Sequence, residues 1–104
     1  MNMPIDARFR LLRWGNTIAV AEQSMMPGLD ADLLPWVGAY VMSQASGLIP
    51  PSEENSAAIV TISGHCEKVV DGRDFSIEVR DPVIEVTPSE YTEQDNQLFI
   101  NRPF

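Results

Sequence analysis

The sequence predicts an α+β domain in which one mostly antiparallel sheet of about four to five strands packs on a single main helix. Three observations lead to this prediction. A two-residue turn signal near residue 71 lies between alternating runs, an apolar run near residue 33 has helix start and stop residues at its ends, and 104 residues suit one domain. Residues 1–104 are therefore expected to form one domain, in which 88–104 can form an extended C-terminal arm.

The N-terminal segment, residues 8–23, allows two interpretations. It can form a hairpin that turns at Gly15-Asn16. Alternatively, Asp6 caps a short helix that ends at Gly15, and a strand follows at 17–21. The sequence does not separate the two. With the hairpin, the element order would be β-β-α-β-β-β, which is compatible with a β-grasp-like arrangement.

An apolar helix is predicted from Leu33 to Ser46. Asp32 can cap its start, Pro35 falls in the first turn, where a missing N–H costs little, and Gly47 can end it. Its first ten residues carry apolar side chains nearly all the way round, without the polar stripe of an ordinary surface helix. Full burial is difficult in a domain of this size, so we expect one side of the helix at an interface with another chain.

The strongest local signal is the dipeptide Asp71-Gly72, which lies between two alternating runs and predicts a two-residue type I′ hairpin turn. That turn would place Cys66 opposite Ile77 and His65 opposite Glu78. The resulting register separates apolar side chains from polar ones on the two faces of the ribbon, which supports it independently of the turn.

The rest of the chain predicts one more strand and a tail. Asp81-Pro82 interrupts the alternating pattern, and 83–87 then has the character of a further short strand. The tail from Pro88 is polar until 98–100, and the chain ends in Phe104. Its apolar residues must either fold back over the sheet or reach a neighbouring chain.

The net charge and the distribution of basic residues exclude some classes of binding partner. The formal net charge is −8, and no Lys or Arg occurs between Trp14 and Glu67. Because binding to phosphates needs a basic stripe, no direct nucleic-acid binding is expected. The longest uncharged stretch, 33–52, is too short and too polar in its second half to cross a bilayer, so no membrane partner is expected.

The compartment is predicted from cysteine usage and from the start of the chain. A single cysteine forms no internal disulfide, which suits a reducing compartment. Residues 1–8 lack the basic stretch and apolar run of a signal peptide. A cytoplasmic protein, or one carried in a particle assembled in the cytoplasm, is therefore expected.

His65 and Cys66 are the only histidine and cysteine of the chain. Neighbouring residues on a strand point to opposite faces, so the two cannot act as a catalytic pair. No metal site and no cofactor is predicted, since zinc needs several such ligands and no glycine-rich nucleotide motif occurs. Cys66 is interpreted as a small apolar core residue.

Two groups of residues are candidate sites. The first is a protein interface of aromatic and aliphatic side chains: Trp36, Val37, Tyr40, Val41, Phe99 and Phe104. The second is a polar sheet face: His65, Glu67, Ser76, Glu78 and Arg80.

These groups predict different functions. The first predicts a non-enzymatic, acidic interaction or assembly protein that self-associates or docks on a larger protein. An inhibitor, an immunity-type protein and a structural protein of a phage or virus particle all belong to this class. The second predicts, as the alternative, a small enzyme that uses the face around His65 and Glu78.

Overall fold

The structure, a computed structural model, describes residues 2–49 and 55–100. It contains one antiparallel sheet with the strand order β2-β1-β3-β4. The elements are β1 (Asn2–Trp14), β2 (Thr17–Met25), a 3-10 turn (Ala31–Leu33), α1 (Leu34–Leu48), β3 (Ser56–Asp71), β4 (Asp74–Ser89), a second 3-10 turn (Glu93–Asn96) and α2 (Gln97–Ile100). The α+β prediction is confirmed, with four strands in the described residues. No helix in this part of the chain is both long and apolar enough to cross a membrane.

β1 and β2 form the N-terminal hairpin, so the structure decides between the two interpretations of residues 8–23. Trp14 pairs with Thr17 across the turn at 15–16. Gly15 has a φ of 60°, which glycine adopts without the steric cost that a Cβ would bring. The helix alternative for this segment is wrong.

The main helix differs from its prediction at both ends. Asp30, rather than Asp32, is the cap, because its side chain accepts a 2.9 Å hydrogen bond from the Asp32 backbone N–H and starts the 3-10 turn. α1 follows that turn and continues through Gly47, where the sequence predicted its end, to Leu48. Pro35 lies in the first turn, as predicted.

One stripe of α1 packs on the sheet. Leu33, Val37, Val41 and Ala45 recur every four residues and are all buried. Leu33, Val37 and Val41 belong to a core with alternate residues of the two central strands: Ile5, Ala7, Phe9, Leu11, Ala58, Val60, Ile62 and Cys66. Val37 and Val41, which the sequence analysis assigned to an interface, therefore have no exposed surface left for a partner.

The register of the β3–β4 hairpin differs from the predicted one by two residues. Gly72-Arg73 forms the turn, because Asp71 pairs with Asp74. A positive φ occurs at Gly72 but not at Arg73, which is the pattern of a type II′ turn instead of type I′. Because the shift is even, each side chain keeps its predicted face, and Cys66 is buried as expected.

The predicted break at Asp81-Pro82 is a β-bulge within one long strand. The register shifts between Ser63 and His65, where Gly64 has a φ of 144° and Asp81 a φ of 50°. Residues 83–87 therefore continue β4 and do not form a fifth strand. The β-grasp-like order, which required that additional strand, is not the observed one.

The C-terminal segment folds back over the sheet face opposite α1. Phe99 is only 8% exposed and forms a second core with Leu12, Ala19 and Ala57. Its ring stacks on Trp14 with centroids 5.4 Å apart. Up to Phe99, the tail thus folds back over its own sheet, which is one of the two courses that the sequence predicted. Phe104 lies outside the described residues.

Burial of Cys66 leads to a first testable prediction. Its side chain is fully buried, and burial raises the pKa of the thiol. We expect a thiol reagent to label the folded protein far more slowly than the denatured protein at the same pH. As a control, Ser46→Cys in a Cys66→Ala background places a thiol on the exposed side of α1 and should label rapidly in the folded state. Equally fast labelling of Cys66 in the folded protein would contradict this packing.

Candidate functional site

The polar sheet face does not pair His65 with Glu78 as the sequence predicted. His65 lies opposite Arg80, and Glu78 lies opposite Glu67. The predicted pairing of His65 with Glu78 is therefore wrong, because the turn is one residue later than assumed. Ser76 pairs four residues further along β3 than His65, which separates them by about 13 Å. Ser76, His65 and Glu78 are therefore not arranged as a hydrogen-bonded catalytic relay.

Arg80 connects the two carboxylates of this face. Its guanidinium bonds to Glu78, and its Nε lies 3.4 Å from Glu67 Oε2. All three side chains are well exposed, so each ion pair contributes little to stability. A guanidinium that lies between two exposed carboxylates is an ordinary arrangement on a solvent-facing strand. Within the residues that the structure describes, no three His, Cys, Asp or Glu side chains converge as metal ligands.

A more distinctive surface lies where the β3–β4 hairpin extends beyond the rest of the sheet. Among the described residues, β1 pairs with β3 as far as Glu67, and the last part of the hairpin beyond it consists of β3 and β4 alone. Three large apolar side chains are exposed here: Trp36 to 42%, Phe75 to 53% and Val70 to 66%. The rings of Trp36 and Phe75 have centroids 6.3 Å apart, at an angle of 51°.

We refer to this surface as the hairpin patch, defined by Trp36, Tyr40, Val70, Phe75 and Ile77. The Nζ of Lys68 lies 4.5 Å from the centroid of the Phe75 ring, within the range of a cation–π interaction. Lys68 therefore lies over one face of the ring, and about half of the Phe75 surface remains open to solvent.

A groove of about 450 Å³ runs along the hairpin patch between α1 and β4. Residues from both elements line it: Trp36, Ala39, Tyr40, Ile77, Glu78 and Val79. β4 is an outer strand of the sheet, so the groove is open along the sheet edge. Its walls are apolar apart from Glu78.

The sequence identified part of this surface. Trp36 and Tyr40 were predicted as interface residues and lie on the hairpin patch. Val37 and Val41 belong to the stripe of α1 that faces the sheet, and they are buried there. The two pairs differ because a helix that is apolar all round contains no sequence signal for which stripe meets the sheet.

The sequence analysis missed Phe75 and Val70, because it assigned the whole apolar face of the ribbon to the core. The physical reason for their exposure is strand length. β3 and β4 are 16 residues each and span about 50 Å, whereas the 15 residues of α1 span about 22 Å. A single helix cannot cover such a ribbon from end to end.

Comparison with known proteins finds no family model, no curated protein and no solved structure that matches this chain. The geometry of the hairpin patch and of the adjoining groove is therefore the basis for a functional proposal.

Proposed function

We propose that this chain is a non-enzymatic, acidic interaction or assembly protein that contacts another protein chain through the hairpin patch. The observation that carries the proposal is the pair of neighbouring rings, Trp36 and Phe75, each with about half of its surface exposed. Single exposed apolar residues are ordinary on protein surfaces, but adjoining aromatic rings are typical of interface centres.

The energy available from this surface supports the proposal. The exposed part of each ring is about 100 Å², and burying that area contributes about 2.5 kcal/mol. Val70 and the half-buried Tyr40 and Ile77 extend the same surface. A partner that covers all five residues gains enough to offset part of the entropy lost on association.

The enzyme alternative has no comparable support. On the polar face, Arg80 is bonded to Glu78 and lies beside Glu67, so neither carboxylate is a free general base. The net charge of −8 favours solubility and disfavours polyanionic partners such as nucleic acids. Inhibitor, immunity-type and particle-structural roles all fit a non-enzymatic surface of this kind.

Phe75→Glu tests the proposal. An unpaired carboxylate at an interface costs several kcal/mol, so this variant should stay folded and lose association. Val83→Glu is a matched control, because Val83 is on the same strand, is 61% exposed and faces the other side of the sheet. Light scattering after size exclusion reports assembly mass, and thermal unfolding reports folding.

We expect the control to retain the wild-type mass and the Phe75→Glu variant to form a smaller species that still unfolds cooperatively, at the melting temperature that the wild type shows when diluted below its dissociation constant. For a heterologous partner, the same two variants are compared with the wild type in binding to that partner. If Phe75→Glu changes neither the assembly mass nor partner binding relative to Val83→Glu, the hairpin patch is not the contact surface.

A further inference from the structure

Within residues 2–49 and 55–100 no strand pairs with the outer edge of β4, so backbone groups next to the hairpin patch have no strand partner there. A two-residue turn makes its flanking residues, Asp71 and Asp74, a hydrogen-bonded pair. Hydrogen-bonded and non-hydrogen-bonded pairs then alternate along the ladder. Phe75, Ile77 and Val79 consequently fall in non-hydrogen-bonded pairs with β3, and their N–H and C=O groups point away from the sheet.

This stretch of the edge has no proline to remove a backbone donor, and its charged side chains, Asp74, Glu78 and Arg80, include both signs, so they do not all repel a second strand. The part of β4 after the bulge contains Pro82 and Pro88, which remove backbone donors. Residues 74–80 contain neither proline nor lysine. An open strand edge beside exposed aromatic rings is a template for one more strand.

The side chains of residues 74–80 are complementary to those of a second copy. When two such strands run antiparallel with Ile77 opposite the second copy's Ile77, Phe75 is opposite Val79. In the same register Asp74 is opposite Arg80, and both pairs occur twice. Apolar residues meet on the α1 side, and opposite charges meet on the other side. A single two-fold axis therefore produces both the apolar pairs on one face of the sheet and the pairs of opposite charge on the other.

We propose that a second copy of this chain pairs with residues 74–80 of β4 as an antiparallel strand centred on Ile77, joining two four-stranded sheets into one continuous sheet. This inference rests on the proposed function and names the partner and the geometry. Residues directly opposite each other share a face, so both α1 helices lie on the same side. Phe75 of each copy then lies beside Val79 of the other, at the groove that Trp36 borders.

Charge reversal tests the register. Asp74→Arg alone places two arginines opposite each other at both ends of the interface, and Arg80→Asp alone does the same with two aspartates. Each should raise the dimer dissociation constant about tenfold. The double variant restores opposite charges across the interface but loses the Arg80 contacts with Glu67 and Glu78 within each copy, so it should bind more tightly than either single variant without reaching the wild-type constant. Sedimentation velocity over a dilution series measures these constants, and thermal unfolding checks that the hairpin is intact.

A disulfide provides an independent measurement. In a Cys66→Ala background, Ile77→Cys places two thiols in a hydrogen-bonded pair, where Cα atoms are about 5.5 Å apart and within disulfide range. Mild oxidation should convert this variant to a covalent dimer. Ser76→Cys is the matched control, since the register places Ser76 opposite Glu78 and leaves the two thiols too far apart to bridge.

The outcomes separate this inference from the proposed function. In one outcome, Phe75→Glu disrupts the wild-type dimer, but the double charge-reversal variant binds no better than the single variants. This result overturns the register and leaves the hairpin patch as the contact surface. A wild type that stays monomeric up to about 1 mM overturns pairing with a second copy. In that case the proposed function is decided by partner binding of the Phe75→Glu and Val83→Glu variants.

Discussion

Gly64→Ala is expected to lower the free energy of unfolding by about 3 kcal/mol. An ideal Cβ on Gly64 would lie 2.8 Å from the carbonyl oxygen of Arg80 and 3.0 Å from that of Asp81. Both atoms belong to the backbone, so neither can rotate away as a side chain would. The φ of 144° adds strain, because residues with a Cβ rarely adopt it. An alanine therefore has to displace the bulge that joins the two halves of β4.

Chemical denaturation followed by tryptophan fluorescence measures this effect. Gly47→Ala is the control, because Gly47 lies within α1 and nothing is within 4 Å of an added Cβ. Alanine favours a helix, so the control should be unchanged or more stable by up to about 1 kcal/mol. A Gly64→Ala protein within about 0.5 kcal/mol of the wild type would mean that the strand has no bulge at this position.

The faces of the β3–β4 hairpin could be predicted from the sequence because they depend only on parity. Side chains alternate with a period of two, so a register error of two residues leaves every residue on its face. This is why Cys66 is buried as predicted although its partner is Val79 instead of Ile77. The partner of His65 depends on the register itself, so the same error of two residues made the prediction of Glu78 as its partner wrong.

The register was not predictable from the turn alone. Asp71-Gly72 suits a type I′ turn and Gly72-Arg73 suits a type II′ turn, and the same glycine supplies the positive φ in both. The bulge at Gly64 is also a long-range feature, because it adjusts β4 to a strand that is already paired with β1 on its other edge. Neither signal is contained in the local pattern of the hairpin.

Two of the five residues of the hairpin patch were predicted as interface residues from the composition of the helix, and the other three were recognised only from the geometry. Trp36 was predicted because the helix has more apolar surface than one sheet can cover. Phe75 is exposed because β4 is one continuous strand that extends beyond the reach of α1. The sequence analysis divided that strand at Asp81-Pro82, so the length of the ribbon, and with it the exposure of its end, was not visible.

The C-terminal segment is expected to depend on one ion pair for its attachment to the sheet. Arg10 donates two 2.8 Å hydrogen bonds from Nη1 and Nη2 to the carboxylate of Asp95, and Nη2 also donates to the Glu90 carbonyl oxygen at 2.9 Å. The Thr92 backbone N–H donates a further bond of 2.8 Å to the same carboxylate. Because Asp95 is buried, solvent screens these charge-assisted hydrogen bonds less than it would screen an ion pair on the surface, and they are correspondingly stronger.

This pair makes stability depend on pH in the acidic range. The hydrogen bonds from Arg10 hold the pKa of Asp95 at about 2, below its usual 3.8, and they outweigh the opposing effect of burial. Because the folded pKa is the lower one, the contribution is present above the unfolded pKa and is lost as pH falls from about 5 to about 2. The difference corresponds to about 2 kcal/mol at neutral pH.

Asp95→Asn is therefore expected to lower the free energy of unfolding by about 2 kcal/mol at pH 7 and by progressively less as the pH approaches 2. The asparagine keeps the size of the side chain but cannot bind the guanidinium through two charged oxygens. Glu93→Gln, an exposed change in the same 3-10 turn, should stay within about 0.5 kcal/mol of the wild type. Loss of the pair should also loosen the packing of Phe99, so proteolysis of the C-terminal segment should become faster in Asp95→Asn alone. A difference between wild type and Asp95→Asn that is constant from pH 7 to pH 2 would show that the effect comes from packing and that the carboxylate is not held ionised by Arg10.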